Sequence, residues 1–456
     1  MFTCLKNQQI KELNKFAIPL IIQNIAGMLI GLVDEMFIGR ISTEAYGAIG
    51  IMVSLMNLLA GIFGNIAVTF NIEGAKKRGE DDTEGIDIYF MSTIFMDILI
   101  GAIYIVIIVI FSDQILGGLY GLSGDALRCA KIYALITCPY MLFQLIIFTF
   151  NSFFKIYKRT RSLMWISTVA TLINVVLDYL LVFGKLGLPR LETAGAALAT
   201  IISVLFNVIA LGLMIKKDKK THTSFSKKCF RSSMYLLKES LPLVGEELLE
   251  GSVFVVIINA LISNIGITEI SSYLLVKYIL DIILISMYMY GSAELTLVSE
   301  KIGQNQFCKI KGLAGMGILI STLIFLIFSI IFIVFRDRIP QLISNEMDLI
   351  VGASNLVIPM VLMNLFNPAQ TILKYVLLAC GKAKTVLYFT ALINAVVLEV
   401  VAIIYFNGPK IYSVFIGLFI NYFALSVIYA VCIKNFIQKK NESLSPQECL
   451  VESSKI

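Results

Sequence analysis

Three short polar constellations interrupt an otherwise apolar sequence. Asn24, Gly27, Gly31 and Asp34 are spaced three, four and three residues apart, so on a helix they share one face. Asn174 and Asp178 are one helical turn apart, and Ala196, Thr200, Ser203 and Asn207 form a small, polar stripe at helical spacing. Carboxylates, an amide and a hydroxyl are hard oxygen donors suited to Na⁺ or to a shared proton. Two carboxylates held together in low dielectric cannot both stay ionised without a cation. Gain or loss of that cation would change how their helices pack. The plainer alternative for Asn174 and Thr200 stays open, since Asn and Thr also serve as ordinary hydrogen-bonding glue between membrane helices.

The elements that must position these groups are membrane spans. Of 456 residues, 58% are hydrophobic and 15% charged, with mean hydropathy +0.86. Soluble domains are nearer 45–50% apolar and about 25% charged. A bilayer core needs about 20 apolar residues per helix. Such runs fall near 14–38, 45–72, 87–111, 127–151, 161–184 and 193–215, then near 239–264, 270–299, 310–335, 349–379, 384–406 and 411–435. They are too long for barrel strands, so the expected fold is all-α, integral to the membrane, with twelve transmembrane helices. The first run, after Lys15, is long enough to span and lacks the small-residue cleavage site of a signal peptide.

Loop charge sets the orientation. Alternate loops carry Lys6, Lys11 and Lys15, then Lys76, Lys77 and Arg78, then Lys155, Lys158, Arg159 and Arg161. The same side gains the run from Lys216 to Arg231, Lys301, Lys309, Lys311, Lys382 and Lys384. The opposite loops are sparse in lysine and arginine. Both termini are therefore expected in the cytoplasm of a multi-pass plasma-membrane protein. The first and fifth spans then run outward and the sixth inward. At ~1.5 Å per residue, Asp34, Asp178 and Thr200 all fall in the outer half of the bilayer.

The chain also repeats itself. Leu172-Ile173-Asn174-Val175-Val176-Leu177-Asp178 resembles Leu392-Ile393-Asn394-Ala395-Val396-Val397-Leu398-Glu399. Pro139 recurs as Pro359, and Pro19 as Pro242. Six spans per copy is an even number, so the copies are parallel, related by a pseudo-twofold axis along the membrane normal. The expected division is an N-lobe at 1–217, a cytoplasmic linker at 218–236, a C-lobe at 237–440 and a tail at 441–456. Pro19 lacks an N–H and is expected to kink the first helix.

Ionisable residues at membrane depth are functional candidates by default. Beyond the first group these are Asp97, the span-seven glutamates Glu246, Glu247 and Glu250, the one-turn pair Lys277 and Asp281, Lys374 and Glu399. Lys374 needs a partner, for which Glu399 or a span-seven glutamate would serve. Tyr288 and its neighbours Met287, Met289 and Tyr290 either line an adaptable cavity or face lipid.

Other chemistries find little support. The eight cysteines form no Cys-x-x-Cys pair, and the single histidine, His222, sits among lysines in a loop. No Gly-x-x-x-x-Gly-Lys-Ser/Thr loop is present. Neither an enzyme, a cofactor nor a nucleic-acid partner is expected. The expected partner is the bilayer, and the chain is read as a monomer.

At several points the sequence resembles the multidrug and toxic compound extrusion (MATE) family. Val33-Asp34-Glu35-Met36-Phe37-Ile38-Gly39 resembles its first-helix signature, and Gly61-Ile62-Phe63-Gly64 with Glu73-Gly74-Ala75-Lys76-Lys77-Arg78-Gly79 its second helix and turn. Ala194-Gly195-Ala196-Ala197-Leu198-Ala199-Thr200 resembles the sixth helix, and Glu300-Lys301-Ile302-Gly303-Gln304-Asn305 the second-half turn. The resemblance implies antiport: toxic, often cationic, organic compounds leave as H⁺ or Na⁺ enters, without a cofactor. In the DinF-type branch the cation site maps onto Asp34, Asn174, Asp178 and Thr200. In the NorM-type branch a glutamate eight residues after a proline acts in the second lobe, which maps onto Glu250, with Glu246 a turn before it. The acidic residue which that branch carries on helix ten is missing near Pro368-Ala369-Gln370, so the DinF-like reading is the stronger. A lipid or lipid-linked precursor flippase of related fold is the alternative; it usually has fourteen spans and a more cationic cavity.

Overall fold

The computed structural model describes residues 2–217, 227–342, 346–408 and 410–443. His222 and the first part of the basic linker, residues 218–226, fall outside them. The described residues form helices and turns, with no strand among them. The helices are α1 (Phe2–Gly39), α2 (Thr43–Gly79), α3 (Thr83–Asp113), α4 (Gly124–Thr137), α5 (Tyr140–Ile156), α6 (Thr160–Phe183) and α7 (Thr193–Lys217). There follow α8 (Lys227–Glu247), α9 (Val255–Ser263), α10 (Ile267–Gly303), α11 (Cys308–Val334), α12 (Met347–Met363), α13 (Asn367–Ala379), α14 (Ala383–Asn407) and α15 (Lys410–Ser443).

Among the described residues, eight helical segments are long and apolar enough to cross a bilayer, and the pairs α4/α5 and α12/α13 each make one bent span, at 46° and 44°. Two proline-bearing spans complete twelve. One is α1, which continues through Pro19. The other is α8 with Pro242, joined through a π turn at Leu248–Phe254 to α9. Apolar side chains stay exposed along these helices; on α3 they include Ile98, Ile103, Val106 and Ile110. A face of that kind belongs against lipid rather than water.

The chain divides into two compact units. The first comprises Ile18–Gly74 and Asp82–Val244; the second comprises Met1–Ala17, Ala75–Asp81 and Gly245–Ile456. Each has its own apolar core. Met52, Met56, Tyr133, Met141 and Leu145 are buried in the first, and Phe325, Phe332, Val357, Met360 and Val401 in the second. The internal plan repeats: α3 packs on α5 and α6 on α7, as α11 packs on α13 and α14 on α15.

The helix starts refine the register of this repeat. Helices α2 and α10 begin at Thr43 and Ile267, an offset of 224, and α6 and α14 begin at Thr160 and Ala383, an offset of 223. The Asn174/Asn394 match, at an offset of 220, is therefore slipped by about three residues. That is close to one helical turn, so a slipped match still superposes apolar on apolar and polar on polar. In the structural register the places of Asn174 and Asp178 are taken by Val397 and Val401, both buried and apolar.

The prolines need the same correction. Pro139 caps α5 at the first bend, but Pro359 lies inside α12. The second bend falls between Met363 and Asn367, where Pro368 opens α13. Proline fits there because the first helical turn has no use for its missing N–H.

Backbone geometry survives where residue types do not. Asp81 and Asn305, after α2 and α10, both have φ near +57°. Lys158 after α5 (φ 57°) stands where Gly381 (φ 70°) follows α13. The turn at Lys158 thus keeps the left-handed step that Gly381 makes in the second repeat.

Candidate functional site

In the first unit, α6 and α7 lie side by side over their length. Two glycines allow this. Gly184 ends α6 in the left-handed conformation, φ 64°. Gly195, in the first turn of α7, sits on the backbone of α6: a Cβ there would lie 2.7 Å from the carbonyl carbon of Leu181 and 2.9 Å from the nitrogen of Val182. The contact is pinned by Leu191 N–H donating to the Leu181 carbonyl at 2.9 Å. The close approach at Gly195 thus sets how near α7, which carries Thr200, lies to α6, which carries Asn174.

These helices help enclose a cavity of about 300 Å³. Its lining includes Asn174 and Thr171 from α6, Thr200, Ser203 and Asn207 from α7, and Gly27 and Gly31 from α1. The two glycines have nothing within 4 Å of a would-be Cβ. They leave room in the cavity rather than admitting a neighbouring helix. Asn174 Nδ2 and Asn207 Oδ1 are buried with no hydrogen-bond partner in the protein. The Thr200 hydroxyl donates to the Ala196 carbonyl at 3.0 Å, which leaves its oxygen lone pairs available.

Asp178 is 0% exposed and lies one turn beyond Asn174, outside the cavity lining. Asp34 is in α1, but its side chain lies outside the described residues. Asn24 Nδ2 donates back to the Leu20 carbonyl at 2.8 Å, where Pro19 is adjacent. Thus Asn174 and Thr200 are brought to one cavity, with Asp178 buried beside it.

The second unit encloses a cavity of about 390 Å³. Glu246, Glu250, Lys277, Asp281, Tyr288 and Lys374 are among its lining residues. Lys374 Nζ stands 2.9 Å from Glu246 Oε1 and 2.9 Å from Glu250 Oε2. Of the two partners left open by the sequence, the span-seven glutamates are therefore the ones, and Glu399 is exposed on α14. Lys277 and Asp281 pair with each other at 2.7 Å. Amide pairs continue the polar lining: Asn421 Nδ2 donates to Asn394 Oδ1 at 2.6 Å and Asn367 Nδ2 to Asn364 Oδ1 at 2.8 Å.

Among the buried carboxyl groups outside both cavity linings are Asp97 and Glu294. Asp97 on α3 is buried and accepts the Thr149 hydroxyl of α5 at 2.6 Å. Glu294 on α10, 0% exposed, was missed by sequence reasoning; it packs where a Cβ on Gly317 of α11 would collide with its carboxyl group. A charge within the apolar run 270–299 was the available signal. Among the described residues no group of three or more His, Cys, Asp or Glu is placed to hold a metal ion.

Two repeated sets of spanning helices, with polar groups turned into a cavity inside each unit, define a membrane transporter rather than an enzyme. The MatE family profile matches the chain twice, over residues 19–180 and 242–404. The two matches begin at Pro19 and Pro242. The chain belongs to the MatE family. It is 23% identical over 451 residues to the probable multidrug resistance protein NorM of Photorhabdus laumondii, covering 95% of this chain and 98% of that one. It is 24% identical to the probable multidrug resistance protein YoeA of Bacillus subtilis, covering 95% of each. Among solved structures, the bent form of the Vibrio cholerae MATE transporter VcmN superposes with a TM-score of 0.86, covering 96% of this chain and 99% of that one at 16% identity.

Proposed function

We propose that this chain is a secondary antiporter that exports small organic compounds, often cationic, from the cytosol in exchange for H⁺ or Na⁺. The carrying observation is the first-unit cavity, which Asn174 and Thr200 both line, with the wholly buried Asp178 one turn beyond Asn174. In this reading Asp34, Asn174, Asp178 and Thr200 form the coupling site, as in the DinF-type branch. Cation entry neutralises the carboxylates, which removes the cost of holding them out of water, and Pro19 lets α1 respond. Loss of the cation restores charge and favours the alternative packing, so the two lobes, 1–217 and 237–440, alternate in access to the two sides. Shape and polarity of the cavity, rather than a fixed set of contacts, select the substrate. The protein works as a monomer in the plasma membrane with both termini in the cytoplasm.

The experiment is dye efflux from energised vesicles, driven separately by a pH gradient and by a Na⁺ gradient, in wild type and Asp34→Asn. Efflux that follows one gradient in wild type and stops in the variant is expected, and it names the ion. Efflux indifferent to both gradients would remove the antiporter reading.

A further inference from the structure

The second-unit cavity carries its own cation. Glu246 lies in the last turn of α8 and Glu250 in the following π turn, so both carboxylates line the cavity one turn apart. Lys374 reaches between them from α13, touching each at 2.9 Å, and is only 15% exposed. Two partly desolvated glutamates with nothing between them could not both stay ionised. An ammonium there does what a bound monovalent cation would do, with one difference: it is tethered to a helix and cannot cross the membrane. The remaining opposite pair in the lining, Lys277 and Asp281, is satisfied within itself.

We infer that Lys374 is the resident counter-cation of the second unit, a specificity-determining residue that keeps the two-glutamate seat closed to Na⁺. Its removal opens that seat. A consequence, which rests on the proposed antiport, is that ion coupling is confined to the first unit.

The test is equilibrium binding of radiolabelled Na⁺ to the purified full-length protein. Four forms are compared: wild type, Lys374→Gln, Lys374→Arg and the double variant Lys374→Gln/Glu250→Gln. The expected result is about one Na⁺ per chain more in Lys374→Gln than in wild type. Lys374→Arg retains the wild-type count, and the double variant returns to it. Folded Lys374→Gln with no added Na⁺ binding overturns the inference, as does an added equivalent that survives in the double variant. If Lys374→Gln is unfolded in choline chloride, purification in NaCl becomes the readout: recovery of folded protein supports the seat, and failure in both salts overturns it. Because the readout is a difference from wild type, it stands whatever the first unit binds. Failure of the antiport reading appears separately, in the efflux assay.

Discussion

Substituting Gly195 by alanine should loosen the first-unit site from a distance. The added Cβ would lie 2.7 Å from the carbonyl carbon of Leu181, 2.8 Å from its oxygen and 2.9 Å from Val182 N. Unstrained carbon contacts are about 3.5–4.0 Å, so the shortfall is about 0.8 Å. The obstructing atoms are backbone and cannot rotate aside; α7 must instead withdraw from α6 by about that distance. Forcing one extra methyl group into a packed contact costs about 1–3 kcal/mol. A control isolates this cost: Gly50→Ala in α2, where nothing lies within 4 Å of the new Cβ, should gain up to about 1 kcal/mol from helix propensity. Gly195→Ala should therefore unfold more easily than Gly50→Ala, by about 1–3 kcal/mol. The withdrawal also carries Thr200 away from Asn174, so gradient-driven transport should fall in Gly195→Ala and hold in Gly50→Ala. Thermal unfolding of the purified proteins, with efflux measured beside it, reads both effects. Equal melting temperatures and equal transport would refute the argument that close α6–α7 approach builds the site.

Two further outcomes follow from single contacts. Thr149→Val removes the hydroxyl that Asp97 accepts at 2.6 Å and leaves a buried carboxyl group short of a partner, at a cost of about 1–3 kcal/mol. Thr149→Ser should restore most of it in the same unfolding assay, whereas Val and Ser variants of equal stability would deny the bond any role. Lys158→Gly replaces a side chain held at φ 57°, where an L-residue is strained by about 1–2 kcal/mol. After the entropy that glycine adds to the unfolded chain, about 0.4–1 kcal/mol, the variant should melt at a slightly higher temperature; a clear drop would mean the lysine side chain holds the turn by other contacts.

Much of this architecture was legible from periodicity and charge. Long apolar runs gave twelve spans because each crossing needs about 20 apolar residues whatever its neighbours do. Asn174 and Thr200 were legible as a pair since each sits on a polar stripe of an otherwise apolar helix. What escaped depended on contacts distant in sequence. For Lys374 the sequence left Glu399 and the span-seven glutamates open, and only the fold brings it to glutamates more than 120 residues away on another span. Glu294 blended into an apolar helix. The repeat was seen but misregistered, because a three-residue slip on a helix nearly preserves the exposed and buried faces. The same slip paired Pro139 with Pro359, which lies inside α12, whereas Pro368 opens the helix after the second bend.

The measurement closest to the central claim uses Asp178→Asn in proteoliposomes, with substrate exchange at equilibrium and gradient-driven uptake measured on one preparation. Asn keeps the shape of the buried side chain and removes its ability to gain or lose charge. The account predicts that exchange persists, since the alternating motion remains, while uphill transport on the imposed H⁺ or Na⁺ gradient disappears. Uphill transport at the wild-type rate in Asp178→Asn would contradict it and take the coupling site out of the first unit.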